Sequence, residues 1–374
     1  MKGFLTAHKG MEDVAAMEVN ELIGSKASPH DSCVTFGIRK YDDLFRLCYT
    51  SQSALNVCFL LSEFSFDDLL AGFKNGISKV DFAEWLSQKT AFRVVCIKNS
   101  QNELRTQDIE KELGAIIIES LGKNAPKVDL DKPDIIIFVY TTEDNCLVGI
   151  DFSGFDISKR HYNIFSHPAS VKGTIAYCLA RLSGFKGKEL ILDPFSGSGL
   201  LPIEAALFAS NFPVNYYSKE KFAFTKFGKF KKFNFDSFFS KIDRKISMKG
   251  LEILNLDASM KNISFAKKNA KIAGMDKCIT YSRMELEWLD TKFEKGKVTR
   301  IATKMPSSPD PEKLYNEFFY QSEFILDDKG RIALIGKSDL VKKYSKKHKF
   351  NIVNERDAYS GKEKYEVFVL EKST

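Results

Sequence analysis

The chain has 374 residues, 28% of them charged and 44% hydrophobic, with a formal net charge of +7; this length exceeds one ordinary core and predicts two or three globular domains. No apolar run approaches the roughly 20 residues that span a bilayer, and the first ten residues hold no signal-peptide core, so no membrane anchoring and a cytoplasmic location are expected. Seven cysteines, at 33, 48, 58, 96, 146, 178 and 278, have no paired metal-ligand spacing and read as reduced, mostly buried thiols with no metal site, while the basic balance favours a polyanionic partner.

Residues 1 to about 62 mix strand runs, Phe4 to Ala7, Val34 to Ile38 and Leu55 to Leu61, with helical stretches near Met11 to Leu22 and Tyr41 to Cys48. They predict a small α+β module. The next stretch, to about 153, repeats the mixture: a helix around Phe82 to Gln88, a strand Phe92 to Ile97, a helix Thr106 to Leu121, and strands Ile135 to Tyr140 and Leu147 to Phe152. Residues 154–166 are polar, basic and aromatic and read as a linker. Its Lys159, Arg160, His161 and Tyr162 could clamp phosphates, or stand solvated.

From Pro168 a helix through Thr174, Ala176 and Leu179 is predicted to end near Gly184, after which strand, loop and helix alternate. That alternation predicts a parallel sheet. The apolar run Leu190 to Leu192 delivers Asp193-Pro194-Phe195-Ser196-Gly197-Ser198-Gly199, and Leu200 to Ala209 continues as a helix. Glycines let the backbone turn tightly against a ligand. Leu200 and Leu201 stand where a P-loop needs Lys and Ser or Thr, and Pro202 falls where a dinucleotide fingerprint needs a small residue, so neither cofactor class fits. An aspartate ahead of two glycines suits a ligand with a positive end, and the ammonium and sulfonium of S-adenosylmethionine supply one. A tight turn with a surface aspartate is the alternative.

The strand Leu251 to Leu256 ends in Asp257, placed to accept hydrogen bonds from two ribose hydroxyls or to cap the following helix. That helix carries Ile263, Ala266, Ala270 and Ala273 at helical spacing and stops at Gly274. Asp257 lies far beyond the offset of about 20 residues that such folds use after the glycine loop, so a segment is inserted. The insertion, roughly 210–250, interleaves Lys219, Lys221, Lys226, Lys229, Lys231 and Lys232 with Phe222, Phe224, Phe227, Phe230 and Phe233. Amines and rings together can bind nucleic acid, or the rings can be core and the lysines solvated. Strands follow at Cys278 to Tyr281, Val298 to Thr303 and Arg331 to Ile335, and Phe350 to Val353 with Tyr365 to Leu370 predicts an antiparallel hairpin. His8, His30 and His348 show no ligand or triad spacing, and Trp85 and Trp288 read as packing.

The loop Asp193 to Gly199, the helix before it with His167, Pro168 and Thr174, and the closing hairpin resemble the class I S-adenosylmethionine methyltransferases. The N-terminal half is similar to the ferredoxin-like module plus THUMP domain of tRNA and rRNA guanine-N2 methyltransferases. The residues that carry this are Phe92-Arg93-Val94, Asp108-Ile109-Glu110, Val128-Asp129-Leu130 with Lys132-Pro133-Asp134, and Gly154 with Lys159-Arg160; Phe222-Ala223-Phe224 resembles that family's segment after its first motif. The resemblance implies an α/β protein: a ferredoxin-like α+β domain (1–62), a THUMP domain (63–153), a linker (154–166) and a Rossmann-like class I methyltransferase sheet with an antiparallel terminal hairpin (167–374). It implies S-adenosylmethionine as cofactor, bound by Thr174, Asp193, Pro194, Phe195, Ser196, Gly197, Gly199, Asp257, Ala258 and Glu285, the last standing nearest the family's adenine-binding acid. It implies tRNA or a structured rRNA as partner; the expected contacts are Arg93, Lys159, Arg160, His161, Tyr162, Lys226 and Lys229, and the chain is expected to act as a monomer, with a partner subunit left open.

The family places Asn or Asp, two prolines and an aromatic residue after the fourth strand, where oxygens accept the target amine's hydrogens and the ring stacks on a flipped base. Here that place reads Lys304-Met305-Pro306-Ser307. Only Pro306 is shared; an ammonium is a donor only, and serine has no ring. Two readings follow: a methyltransferase of guanine amines in RNA with an unusual target pocket, or an RNA-binding relative that keeps the fold without transfer. A DNA amino-methylase would share the C-terminal motifs but not the THUMP-like half.

Overall fold

Short runs rich in Val, Ile and Phe build the strands of two separate sheets in the computed structural model, which describes residues 1–100, 103–166 and 170–373. The chain divides into two compact units, one made of residues 1–7, 15–157 and 215–240, the other of residues 8–14, 158–214 and 241–374.

The first unit's elements are β1 (Lys2–Thr6), α1 (Glu12–Ile23), β2 (Ala27–His30), β3 (Cys33–Gly37), α2 (Tyr41–Thr50), β4 (Asn56–Ser65), α3 (Leu69–Gly76), β5 (Ala91–Lys98), α4 (Thr106–Leu121), β6 (Lys127–Val128), β7 (Ile135–Thr141) and β8 (Asn145–Asp151), α1 beginning in the second unit. The eight strands form one sheet in the order β2-β3-β1-β4-β8-β7-β5-β6. It is continuous across residue 62, because β4 pairs antiparallel with β8. Phe4, Cys58, Phe138 and Leu147 alternate onto one buried face, as period-two patterning requires. The predicted helix over Phe82 to Gln88 is a single 3-10 turn, Phe82–Glu84, capped by Asp81.

The second unit continues with α5 (Gly173–Leu182), β9 (Ile191–Asp193), α6 (Leu200–Ala209), α7 (Phe235–Asp243), β10 (Ile253–Asp257), α8 (Met260–Ala273), β11 (Ile279–Arg283), α9 (Leu289–Lys292), β12 (Val298–Lys304), α10 (Pro311–Ile325), β13 (Leu326–Ile335), α11 (Ser338–Lys347), β14 (Phe350–Ser360) and β15 (Glu363–Lys372), α7 beginning in the first unit. Its sheet runs β11-β10-β9-β12-β13-β15-β14. The first five strands are parallel, and β14–β15 is the expected antiparallel hairpin. Local chemistry sets the helix ends: Ser259 caps α8, Gly274 at φ 77° closes it, and Asp310 caps α10 ahead of Pro311. Residues 8–14 lie against β14, where a side chain on Gly10 would meet the Asp357 carbonyl at 2.0 Å.

Residues 215–240 fold as short 3-10 turns and the start of α7. Phe222, Phe224, Phe227 and Phe230 are buried, with the Phe45 and Phe224 rings stacked at 4.5 Å and Tyr41 edge-on to Phe230 at 5.1 Å. These four rings of the insertion are therefore core, whereas Phe233 is half-buried. All seven cysteines are buried and free. Among the described residues no helix is long and apolar enough to cross a membrane.

Candidate active site

In a parallel sheet ligands bind beyond the carboxyl ends of the strands. Here β9, β10 and β12 end in Asp193, Asp257 and Thr303-Lys304, and a cavity of about 580 Å³ opens there. Its walls include Asp193 to Gly197, Asp257, Ala258, Glu285, and Lys304 to Ser308.

The glycine loop is fixed by its own backbone and by the neighbouring strand. Ser196 N–H donates to the Leu256 carbonyl at 3.0 Å, Gly199 N–H to the Ser196 carbonyl at 2.8 Å, and Gly197 N–H to Oδ2 of Asp257 at 2.9 Å. Gly197 takes φ 52° and Gly199 φ 82°, which side-chain-bearing residues rarely adopt. The other oxygen of Asp257 accepts from Ser259 N–H at 2.8 Å and Asn262 Nδ2 at 3.0 Å. Asp257 thus ties the glycine loop to the entry of α8, which Ser259 caps, while its carboxylate still borders the cavity.

Asp193 is 4% exposed, and burial pushes its carboxyl up to about 7. The Thr303 hydroxyl and the Phe195 N–H, both donating to Oδ1, oppose that rise, and the nearby Asp257 carboxylate adds to it. A cation in the cavity would favour the ionised form. Ser196 Oγ is buried in the cavity wall without a hydrogen-bond partner among the described residues, an open polar position for a ligand. Apolar Met284 and Leu286 beside Glu285 offer a surface for a planar base. A cation, hydroxyls and a base describe the parts of S-adenosylmethionine, and the residues present fit it.

The cavity brings together Asp193, Pro194, Phe195, Ser196, Gly197, Asp257, Ala258 and Glu285 with Lys304, Met305, Pro306 and Ser307. Two expected cofactor residues are not in its wall. Thr174 is fully buried, its hydroxyl 2.8 Å from His8 Nε2. Gly199 serves packing instead: a Cβ there would fall 2.6 Å from Ala266 Cβ. His167 and Pro168 lie outside the described residues. Lys304 turns its ammonium towards the hairpin, 3.5 Å from Glu363 Oε1 and 5.0 Å from the Tyr365 ring centre.

The expected RNA contacts divide. Arg160 and Tyr162 are corrections: both side chains are buried against Glu204 of α6, Arg160 as an ion pair with 2% of its side chain exposed, so neither can reach a phosphate. Lys229 is engaged with Glu84 and the Tyr41 hydroxyl and lies over the Trp85 ring. Arg93 donates to the Leu130 carbonyl at 2.9 Å, and His161 is half-buried beside Tyr162. Lys159 and Lys226 remain exposed. Trp288 is another correction, being 61% exposed rather than packed, whereas Trp85 is buried.

Sequence reasoning passed over Thr303 and Asn269. Thr303 is the first polar residue after Ile301-Ala302 in a buried strand, and Asn269 sits beside Ala270 on the buried face of α8. Each is a polar side chain in an apolar register, which demands a partner.

A family model described as the RMKL-like methyltransferase domain matches residues 160–364, and a THUMP domain matches residues 70–151. The tRNA (guanine(6)-N2)-methyltransferase of Methanocaldococcus jannaschii is 30% identical over 309 residues, 79% of each chain. The ribosomal RNA large subunit methyltransferase K/L of Vibrio parahaemolyticus is 24% identical over 83% of this chain, which spans 45% of that protein. The solved structure of SMU.472, complexed with SAH, shares the fold over 100% of this chain and 98% of its own, with a TM-score of 0.80 at 20% identity. The chain belongs to the RMKL-like methyltransferase family and carries a THUMP domain. It is an S-adenosylmethionine-dependent methyltransferase whose substrate class is RNA.

Proposed function

We propose that this protein transfers a methyl group to the exocyclic amine of a guanine in tRNA or in a structured rRNA. The observation that carries the reading is the cavity itself, in which two buried carboxylates, Asp193 and Asp257, stand at the tips of adjacent parallel strands on either side of a glycine loop. The names of the relatives, on tRNA and ribosomal RNA, support the substrate class. In this reading residues 1–62, 63–153 and 167–374 act as the ferredoxin-like, THUMP and catalytic parts joined by 154–166, and the chain works in the cytoplasm as a monomer.

S-adenosylmethionine supplies a methyl group activated on sulfur. The protein's task is then mainly proximity and orientation, because in-line displacement demands no strong base. Asp257 and the loop amides fix the donor's end of the cavity. At the acceptor's end, Lys304 to Ser308 line the wall, and backbone carbonyls with the Ser307 and Ser308 hydroxyls are the acceptors available to an amine. These acceptors would hold and orient the amine through its hydrogens, and the proton that the amine loses on methylation would leave to water.

The test is incubation of the protein with isotopically labelled donor and bulk tRNA or rRNA, followed by nucleoside mass spectrometry. Label in N2-methylguanosine is expected. Tight RNA and donor binding without transfer would overturn it in favour of an RNA-binding relative, the reading that the donor-only ammonium of Lys304 supports. Label in DNA adenine or cytosine amines would overturn the choice of nucleic acid.

A further inference from the structure

Asn269 stands 0% exposed on α8, one position from the apolar register of Ala266, Ala270 and Ala273. A buried carboxamide without partners is costly, yet here all its hydrogen-bonding groups are used. Oδ1 accepts from the Phe165 N–H at 3.0 Å. One Nδ2 hydrogen reaches the Phe165 carbonyl and the other the Ser198 carbonyl, both at 3.0 Å. With two carbonyls facing one end and an N–H facing the other, only this orientation of the amide satisfies all three groups.

Ser198 belongs to the glycine loop, whose Ser196 and Gly197 line the cavity, as do Ser170 and Val171. Ser170 Oγ adds a second tie, 2.7 Å from Ser198 Oγ. Beneath the loop, Ala266 occupies the space that a side chain on Gly199 would need, so α8 packs close against the loop whose Ser198 carbonyl Asn269 reaches.

We propose that Asn269 is a positioning residue for the donor end of the methyl-transfer cavity, pinning the glycine loop at Ser198 to Phe165 so that the loop keeps its place in the cavity wall. The proposal rests on the reading of this cavity as the donor site. Loss of the clamp frees the loop at Ser198, so it weakens capture of the donor without touching the reacting atoms. That predicts a raised KM for the donor with kcat at saturation retained.

The experiment is calorimetric titration of S-adenosylmethionine into the full-length protein and its Asn269→Ala and Asn269→Asp variants, with thermal melts and RNA titrations on the same samples. Loss of buried hydrogen bonds predicts donor binding about tenfold to hundredfold weaker in Asn269→Ala, at a temperature where the melt shows it folded and with RNA affinity unchanged. In Asn269→Asp a carboxylate opposes two carbonyls, and a protonated carboxyl recovers one donor. Its deficit relative to the unsubstituted protein at the same pH should therefore narrow on acidification, a signature that general loss of stability does not give. Unchanged donor affinity in both folded variants overturns the positioning role alone; failure of the unsubstituted protein to bind the donor overturns the cavity reading and this role with it.

Discussion

The hydroxyl of Thr303, at the end of β12, donates to Oδ1 of Asp193, at the end of β9, over 2.6 Å. The bond ties the strand that precedes the acceptor wall to the strand that enters the glycine loop. It also supplies a buried carboxyl with one of the two donors that favour its ionised form.

Donor binding should therefore depend on pH. Burial raises Asp193 to about 7, so near neutrality a large part of the free protein carries it protonated. A cationic ligand favours the carboxylate and pulls its pKa down, so binding releases a proton and affinity climbs as pH rises through about 7. Thr303→Val removes an ionisation-favouring bond and should move the midpoint of that climb upward. Asp193→Asn should weaken binding and flatten the dependence. Calorimetry in buffers of differing ionisation enthalpy measures the released proton directly; uptake instead of release would contradict the assignment.

Asp257 is expected to matter for the donor more than for the fold. In Asp257→Ala the Gly197 N–H and the start of α8 lose their acceptor, and a ligand hydroxyl loses another. Donor affinity should fall by about tenfold to hundredfold, the cost of one or two hydrogen bonds to a charged group. Equilibrium dialysis with labelled donor reads this.

Lys159 and Arg160 are neighbours in sequence with opposite fates. Arg160→Met leaves Glu204 buried without its cation and should cost about 3–5 kcal/mol of stability, seen as a lower melting temperature. Lys159→Ala should leave the melt unchanged and weaken RNA binding, with a shallower dependence on salt concentration. A fluorescence titration of RNA at several ionic strengths separates the two.

Lys304→Asn tests the acceptor wall. The carboxamide oxygen can accept a hydrogen from an amine where the ammonium cannot. Transfer to guanine in a labelled-methyl assay should rise with donor affinity unchanged. A fall would show that the ammonium itself contacts the RNA.

The fold and the donor loop were legible because they rest on local chemistry. Leu190 to Leu192 is apolar on both faces as a central parallel strand must be, and Gly197 and Gly199 occupy positions of positive φ. The closing hairpin followed from connection length alone. Arg160 and Tyr162 were misplaced because composition gives residue type but not partner. Both meet a carboxylate far away in sequence, Glu204, and no periodicity announces such a meeting. Thr174 failed for a similar reason, its partner being His8, which local patterning leaves without a role.

The order in which the ribosome delivers this chain has a consequence. By the time Ile157 has emerged, every strand of the first sheet has been synthesised, yet Phe45, Phe152 and Tyr41 still await the rings of residues 222–230. Translation must proceed through most of the insertion before those aromatic faces can be covered. A nascent chain stalled shortly before it would present an oily surface of the kind chaperones grip.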